Sequence, residues 1–290
     1  MMLRPAGLPP SLAKLERTAV MGICNVTDDS FSEAGRHFDA DAAVGHALAM
    51  LAAGADLVDV GGESTRPGAG RVDPAEELRR VVPVVKRLVK AGAAVSVDTV
   101  RASVALASVQ AGACLINDVS GGLADAAMYK TMAETAVPCV LTHWRGPSDQ
   151  MDSRDLYTDP ATQVASELGA RLVAATQAGV DPARVVLDPG LGFAKVGPTN
   201  WRVLAGLDSI AALGRPLLLG GSRKRFLGPA LGAHNSAGNS GQWERYDGAT
   251  AALSALAARA GLWCVRVHHV APNLDAVRVG NGWRTGALER

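Results

Sequence analysis

Asp98, Asn117 and Asp188 each close a short apolar run, in Ser96-Val97-Asp98, Leu115-Ile116-Asn117 and Val186-Leu187-Asp188. Carboxylates accept hydrogen bonds and amides both accept and donate them, so such groups gathered at one rim can read the edge N–H groups of a guanidine-like heteroaromatic ring. In Val95-Ser96-Val97-Asp98 the period-two alternation puts Ser96 and Asp98 on one face and the valines on the other. The carboxylate can then enter a cavity while the valines pack outward. A second set is basic: Gly221-Ser222-Arg223-Lys224-Arg225-Phe226 follows one apolar run, and Arg266-Val267-His268-His269 ends another. A basic cluster alone is more often a solvated face. Arg266 and His268, however, alternate with Val265 and Val267 and so share one strand face, which favours a converging phosphate site. Two further polar exits are Asn25-Val26-Thr27-Asp28-Asp29-Ser30-Phe31-Ser32 and Asp59-Val60-Gly61-Gly62-Glu63-Ser64-Thr65-Arg66-Pro67-Gly68. In the latter, glycine permits close ligand approach and arginine binds anions, although Pro-Gly by itself marks only a turn.

Positioning these groups requires eight elements of one kind. Apolar stretches occur at Thr18–Cys24, Asp56–Val60, Ala94–Val97, Cys114–Ile116, Pro138–Thr142, Arg184–Leu187, Pro216–Leu219 and Trp263–Val267. Between them, Ala40–Ala53, Pro74–Ala91, Ala102–Ala111, Ala161–Ala178 and Gly248–Ala260 combine Ala, Leu and Val with polar residues at helical spacing. Asp39 and Asp73 are placed to cap the first two, and Ala-Gly pairs precede several strands. This rhythm predicts an α/β chain folded as a single (β/α)8 barrel with its site at the C-terminal ends of the strands. The 290 residues are close to the roughly 250 typical of that architecture. Residues 1–17 are expected to form an irregular lead-in, 18–282 the barrel and 283–290 a tail.

Lys plus Arg is 29 and Asp plus Glu 28, a formal charge of +1, which gives no general attraction to nucleic acid. Cys24, Cys114, Cys139 and Cys264 lie in or beside apolar stretches without metal-ligand spacing. They read as buried thiols of a reducing cytoplasm. No leader and no membrane span is expected.

Taken together, the exits resemble the dihydropteroate synthase family of pterin-binding barrels, in a form similar to actinobacterial members. The resemblance runs from Val20 to Val279. It rests on Met21-Gly22-Ile23-Cys24-Asn25 through Ser32, Gly61–Gly68, Ser96-Val97-Asp98-Thr99, Asn117-Asp118-Val119-Ser120-Gly121-Gly122, Asp188-Pro189-Gly190-Leu191-Gly192-Phe193, Ser222-Arg223-Lys224 and Arg266-Val267-His268. It implies transfer of a dihydropterin-6-ylmethyl group from its diphosphate to p-aminobenzoate, with release of pyrophosphate. Asp98, Asn117, Asp188 and Lys224 would hold the pterin, with Gly220 and Phe193 shaping its pocket. Asn25 would take part in a Mg²⁺–diphosphate site, with Arg266 and His268 on the diphosphate. Thr65, Arg66, Pro67, Ser222 and Lys224 would border p-aminobenzoate, and Asp29 and Phe31 would close over the reacting atoms. The family also implies a homodimer and a sulfonamide target.

This sequence departs from the family pattern at Asp28, where many relatives have Pro, at Thr142-His143-Trp144-Arg145, and at His269, which stands where an Asp usually follows Arg-Val-His. Leu231–Trp243 reads as an insertion before the eighth helix. Two other readings stay open: a methyltetrahydrofolate-binding methyltransferase, which leaves the two basic runs unexplained, and a non-catalytic pterin-binding barrel.

Overall fold

The computed structural model of the chain describes residues 2–27, 40–63, 72–147, 150–232 and 240–287. Its strands are β1 (Ala19–Asn25), β2 (Leu57–Gly61), β3 (Val95–Asp98), β4 (Leu115–Asp118), β5 (Cys139–Thr142), β6 (Val185–Asp188), β7 (Leu218–Leu219) and β8 (Cys264–Val267). All are parallel, in the order β6-β5-β4-β3-β2-β1-β8-β7. A parallel bridge between Leu187 and Leu217, with the Leu187 N–H donating to the Pro216 carbonyl at 2.9 Å, joins the two ends. The expected barrel is thereby closed. Most strands include the polar residue that ends the apolar stretch, as with Asp98, Asp118 and Asp188. Ladder hydrogen bonds are made by the backbone, so a strand does not stop where side chains turn polar.

The helices on the outside are α1 (Pro10–Ala13), α2 (Ala40–Ala52), α3 (Pro74–Lys90), α4 (Ala102–Gln110), α5 (Met128–Thr135), α6 (Pro160–Gln177), α7 (Pro198–Ala205), α8 (Leu207–Ala211), α9 (Ser240–Arg259) and α10 (Val270–Thr285). The Asp73 side chain accepts the Ala75 N–H at 2.9 Å, Pro74 occupies the first turn with Glu76 and Glu77, and Arg87 and Lys90 close the last turn. Cap, proline and charges thus all agree with the direction of the helix dipole. Asp39, the other expected cap, lies outside the described residues. No described helix is long and apolar enough to cross a membrane.

Side-chain alternation divides the barrel into two cores. Val58, Val60, Val95, Val97, Leu141, Val185 and Leu187 face outward into the helices. Met21, Leu57, Leu115, Val140, Val186 and Leu218 fill the lower interior with Leu12 and Trp263. The N-terminal segment is therefore more than the irregular lead-in that was expected: α1 inserts Leu12 into the barrel floor. Arg17 holds Asp56 through two hydrogen bonds of 2.6 and 2.8 Å beside it. The last helix continues to Thr285, past position 282. The helix expected at Gly248 begins at Ser240. Gly248 lowers local propensity, but it faces open space, with nothing within 4 Å of an added Cβ, and the helix runs through it unbroken.

Candidate active site

Above the apolar floor the inward positions turn polar. Asp59 on β2, fully buried, accepts from Asn117 Nδ2 at 2.8 Å and from Arg266 Nε at 2.6 Å, both through Oδ2. The Arg266 Nη2 group donates to Asp98 Oδ2 at 2.6 Å. One guanidinium therefore bridges carboxylates of β2 and β3, and the amide of β4 joins the same cluster. Burial raises the Asp98 pKa, against the opposing pull of Arg266.

Asp188 ends β6, and its Oδ1 accepts the Gly190 N–H at 2.7 Å. Burial raises its pKa, and the Lys224 ammonium opposes that rise. Lys224 donates to the Leu191 carbonyl and stands 4.4 Å from the centre of the Phe193 ring. Burial pushes this lysine down to about 8 despite the nearby Asp188 carboxylate. The turn carrying these contacts requires glycine at position 190. Its φ is +65°, and a Cβ would fall 2.1 Å from the His143 carbonyl oxygen.

Arg223, between Ser222 and Lys224, has φ +56°. Its guanidinium turns to Asp247 on α9, with two contacts of 2.7 Å, and lies 5.4 Å from the Trp243 ring centre. Ser222 Oγ lies 3.0 Å from His268 Nδ1 and accepts the His268 backbone N–H at 3.2 Å. When the hydroxyl donates to Nδ1, Nε2 is the protonated ring nitrogen, which suits an anion. His269 takes the N-cap position of α10 in a non-helical conformation, without a side-chain capping bond; its Nδ1 is 3.2 Å from Asp247 Oδ2. It belongs to the Arg223–Asp247 group, on the side away from His268.

Asn25, Asn117, Asp188, Phe193, Gly220, Ser222, Lys224, Arg266 and His268 all line one cavity of about 710 Å³. Nine of the residues singled out from the sequence thus converge. Asp98 stands behind Arg266 and does not line the cavity. Arg266 and His268 share a face as the alternation requires, but their bonds run apart, Arg266 to β2 and β3 and His268 to Ser222. Asp29, Phe31, Thr65, Arg66 and Pro67 lie outside the described residues. The residues flanking the last three are tied together: Arg101 donates to Glu63, Glu77 and the Val72 carbonyl.

Two features were not foreseen. Asp59 sits inward with Leu57 and Gly61, and the period-two argument that picked out Asp98 would have picked it out as well. Lys195 gave no such signal. Its buried ammonium donates to the Gly190 and Phe193 carbonyls, both at 3.0 Å, and lies 2.8 Å from His143 Nδ1. His143 Nε2 in turn lies 3.0 Å from Glu167. Burial and the Lys195 cation push His143 down to about 4, so the ring is neutral. Burial would raise Glu167, but the bonds from His143 and Arg145 bring it down to about 2. Trp243, assigned from the sequence to an insertion, lies in α9 and lines the cavity.

The family model of pterin binding enzymes matches residues 21–268. The chain belongs to this family. It is 53% identical over 268 residues to the dihydropteroate synthase of Mycobacterium leprae, covering 91% of this chain and 93% of the relative. Among solved structures, Xanthomonas albilineans dihydropteroate synthase with 4-aminobenzoic acid superposes with a TM-score of 0.83 at 42% identity, covering 93% of this chain and 94% of that one. The Yersinia pestis dihydropteroate synthase in complex with a sulfonamide drug gives 0.86 at 37% identity, covering 98% and 100%.

Proposed function

We infer that this pterin-binding enzyme is a transferase of folate biosynthesis that joins the 7,8-dihydropterin-6-ylmethyl group of a pterin diphosphate to p-aminobenzoate, giving 7,8-dihydropteroate and pyrophosphate. The observation that carries this reading is the single cavity in which ring-reading groups, Asn117 and Asp188, meet anion-binding groups, Ser222 with His268 and the cations Lys224 and Arg266.

In the proposed reaction the bond between the methylene carbon and the diphosphate oxygen breaks, and its electron pair leaves with pyrophosphate. The arylamine nitrogen then supplies the pair for the new C–N bond and loses a proton to solvent. Asp188 and Asn117 hold the ring, and the carboxylates of Asp59, Asp98 and Asp188 offset positive charge developing on the pterin. Arg266 and His268 act on charge developing at the leaving diphosphate. Orientation of the amine matters more than removal of its proton. The resemblance assigns Thr65, Arg66 and Pro67 to the p-aminobenzoate side and Asp29 and Phe31 to closure over the reacting atoms.

Mg²⁺ is proposed as the cofactor. The described residues contain no cluster of three or more His, Cys, Asp or Glu suited to a metal. Asn25, at the end of β1 and on the cavity wall, still fits, because Mg²⁺ beside phosphates takes one or two protein oxygens and fills the rest of its shell with phosphate and water. The Asn25 amide oxygen would hold it, and the ion would supply neutralisation of the diphosphate. A homodimer is proposed as well, supported by an exposed apolar face on α9 and α10. Four free thiols support a cytoplasmic setting.

The test is a reconstituted assay that follows pyrophosphate and dihydropteroate together. Equal release of both, dependence on p-aminobenzoate, loss on chelation with recovery on adding Mg²⁺, and sulfonamide inhibition competitive with p-aminobenzoate are the expected results. Pterin binding without pyrophosphate release would instead identify a non-catalytic binder.

A further inference from the structure

Asp59 touches two cavity residues through one oxygen and does not line the cavity itself. An ionised carboxylate can only accept hydrogen bonds. Arg266 can only donate, so the Asp59 Oδ2 that faces its Nε at 2.6 Å is an acceptor. Asn117 must therefore turn its NH₂ group to Asp59, and because the amide is planar its carbonyl oxygen points away from Asp59. An asparagine bordering a cavity can in principle offer a ligand either a donor or an acceptor. Asp59 removes that choice.

We propose that Asp59 is the positioning residue that sets the hydrogen-bond polarity of the ring pocket, making Asn117 an acceptor so that the pocket selects a heterocycle rich in N–H donors. The proposal rests on the reading of the chain as a pterin-using transferase and adds to it the origin of selectivity. The same carboxylate neutralises Arg266, but that role alone predicts something different. Asp98 also holds Arg266, through Nη2. A counter-ion replaced by a neutral residue would weaken all ligands alike and leave selectivity unchanged. A hydroxyl at position 59 can accept from Arg266 and still donate to or accept from Asn117, so Asn117 becomes able to flip and pair with either kind of ligand edge.

The experiment is calorimetric titration of wild type, Asp59→Ser, Asn117→Ala and the double variant with three ligands. These are 6-hydroxymethyl-7,8-dihydropterin, the oxidised 6-hydroxymethylpterin, in which the N8–H donor becomes an acceptor, and the 2-oxo (lumazine) analogue of the dihydropterin, in which the amino donor becomes an acceptor. Wild type should discriminate against at least one of the two altered ligands by about tenfold or more, the cost of mispairing a buried polar group. In Asp59→Ser that ratio should fall to about threefold or less. Asn117→Ala should lose the same discrimination, and adding Asp59→Ser to it should change the ratio no further. If Asp59→Ser does not fold, Asp59→Ala, which offers Asn117 neither donor nor acceptor, gives the same measurement. Ratios preserved in the Asp59 variants, or a wild type that binds pterin without discriminating, overturn the inference alone. A wild type that binds none of the three overturns the proposed function and this inference with it.

Discussion

One oxygen of Asp188 is committed to the Gly190 N–H, so only the other can meet a ring. In Asp188→Asn the single amide oxygen is drawn to the same N–H, and the NH₂ group turns toward ligand donors. Pterin affinity should fall about tenfold to a hundredfold without p-aminobenzoate present; equal affinities by calorimetry would contradict the assignment. Lys224 gives a prediction in pH. Burial disfavours its ammonium form and Asp188 favours it, leaving a pKa of about 8. The charged form is present below that pH and is lost above it, so kcat/KM for the pterin substrate should fall about tenfold per unit above about pH 8. Lys224→Gln should have lower kcat/KM throughout and lack this alkaline limb. A wild-type profile flat from pH 7 to 10 would remove Lys224 from the reacting complex.

Elements, more than single residues, separate what could be read in the sequence from what could not. Strand alternation places Asp98, Asn117, Asp188 and Arg266 inward, and the eight apolar stretches with intervening helices give the barrel. Local pattern does not show which inward polar groups bond one another. That Arg266 bridges Asp59 and Asp98 depends on the register of β8, β1, β2 and β3. Lys195 lies beyond a turn, where no periodicity applies, and its partner His143 is 52 residues away. The floor helix was missed because four residues are too few for a helical period. Its contribution can be measured: Leu12 is buried against Trp263 and the lower strands, so Leu12→Ala should lower unfolding stability by about 2–4 kcal/mol. In urea the midpoint should drop with an unchanged slope. A midpoint equal to wild type would mean that α1 does not hold the floor.

On the molecule as a whole, α9 and α10 form one wall of the barrel. They meet where Gly280 abuts Ala255, whose carbonyl oxygen would be 2.1 Å from an added Cβ. Side by side they expose Leu256 (61%), Val279 (64%) and Trp283 (74%), with the Arg259 guanidinium 5.0 Å from the Trp283 ring centre. Clustered apolar exposure of this kind marks an association surface, and the proposed homodimer would cover it. Sedimentation should therefore give twice the 29.9 kDa chain mass, and the double substitution Val279→Glu with Trp283→Glu should give a monomer. Because every cavity residue named comes from one chain, the folded monomer should keep kcat/KM within about threefold. A wild type that sediments as a monomer at tens of micromolar would refute the dimer. A folded monomer without turnover would keep the dimer but show that the partner supports the site, and the place to look would be α9, since its residues Trp243 and Asp247 reach the cavity and Arg223 while its far side carries Leu256.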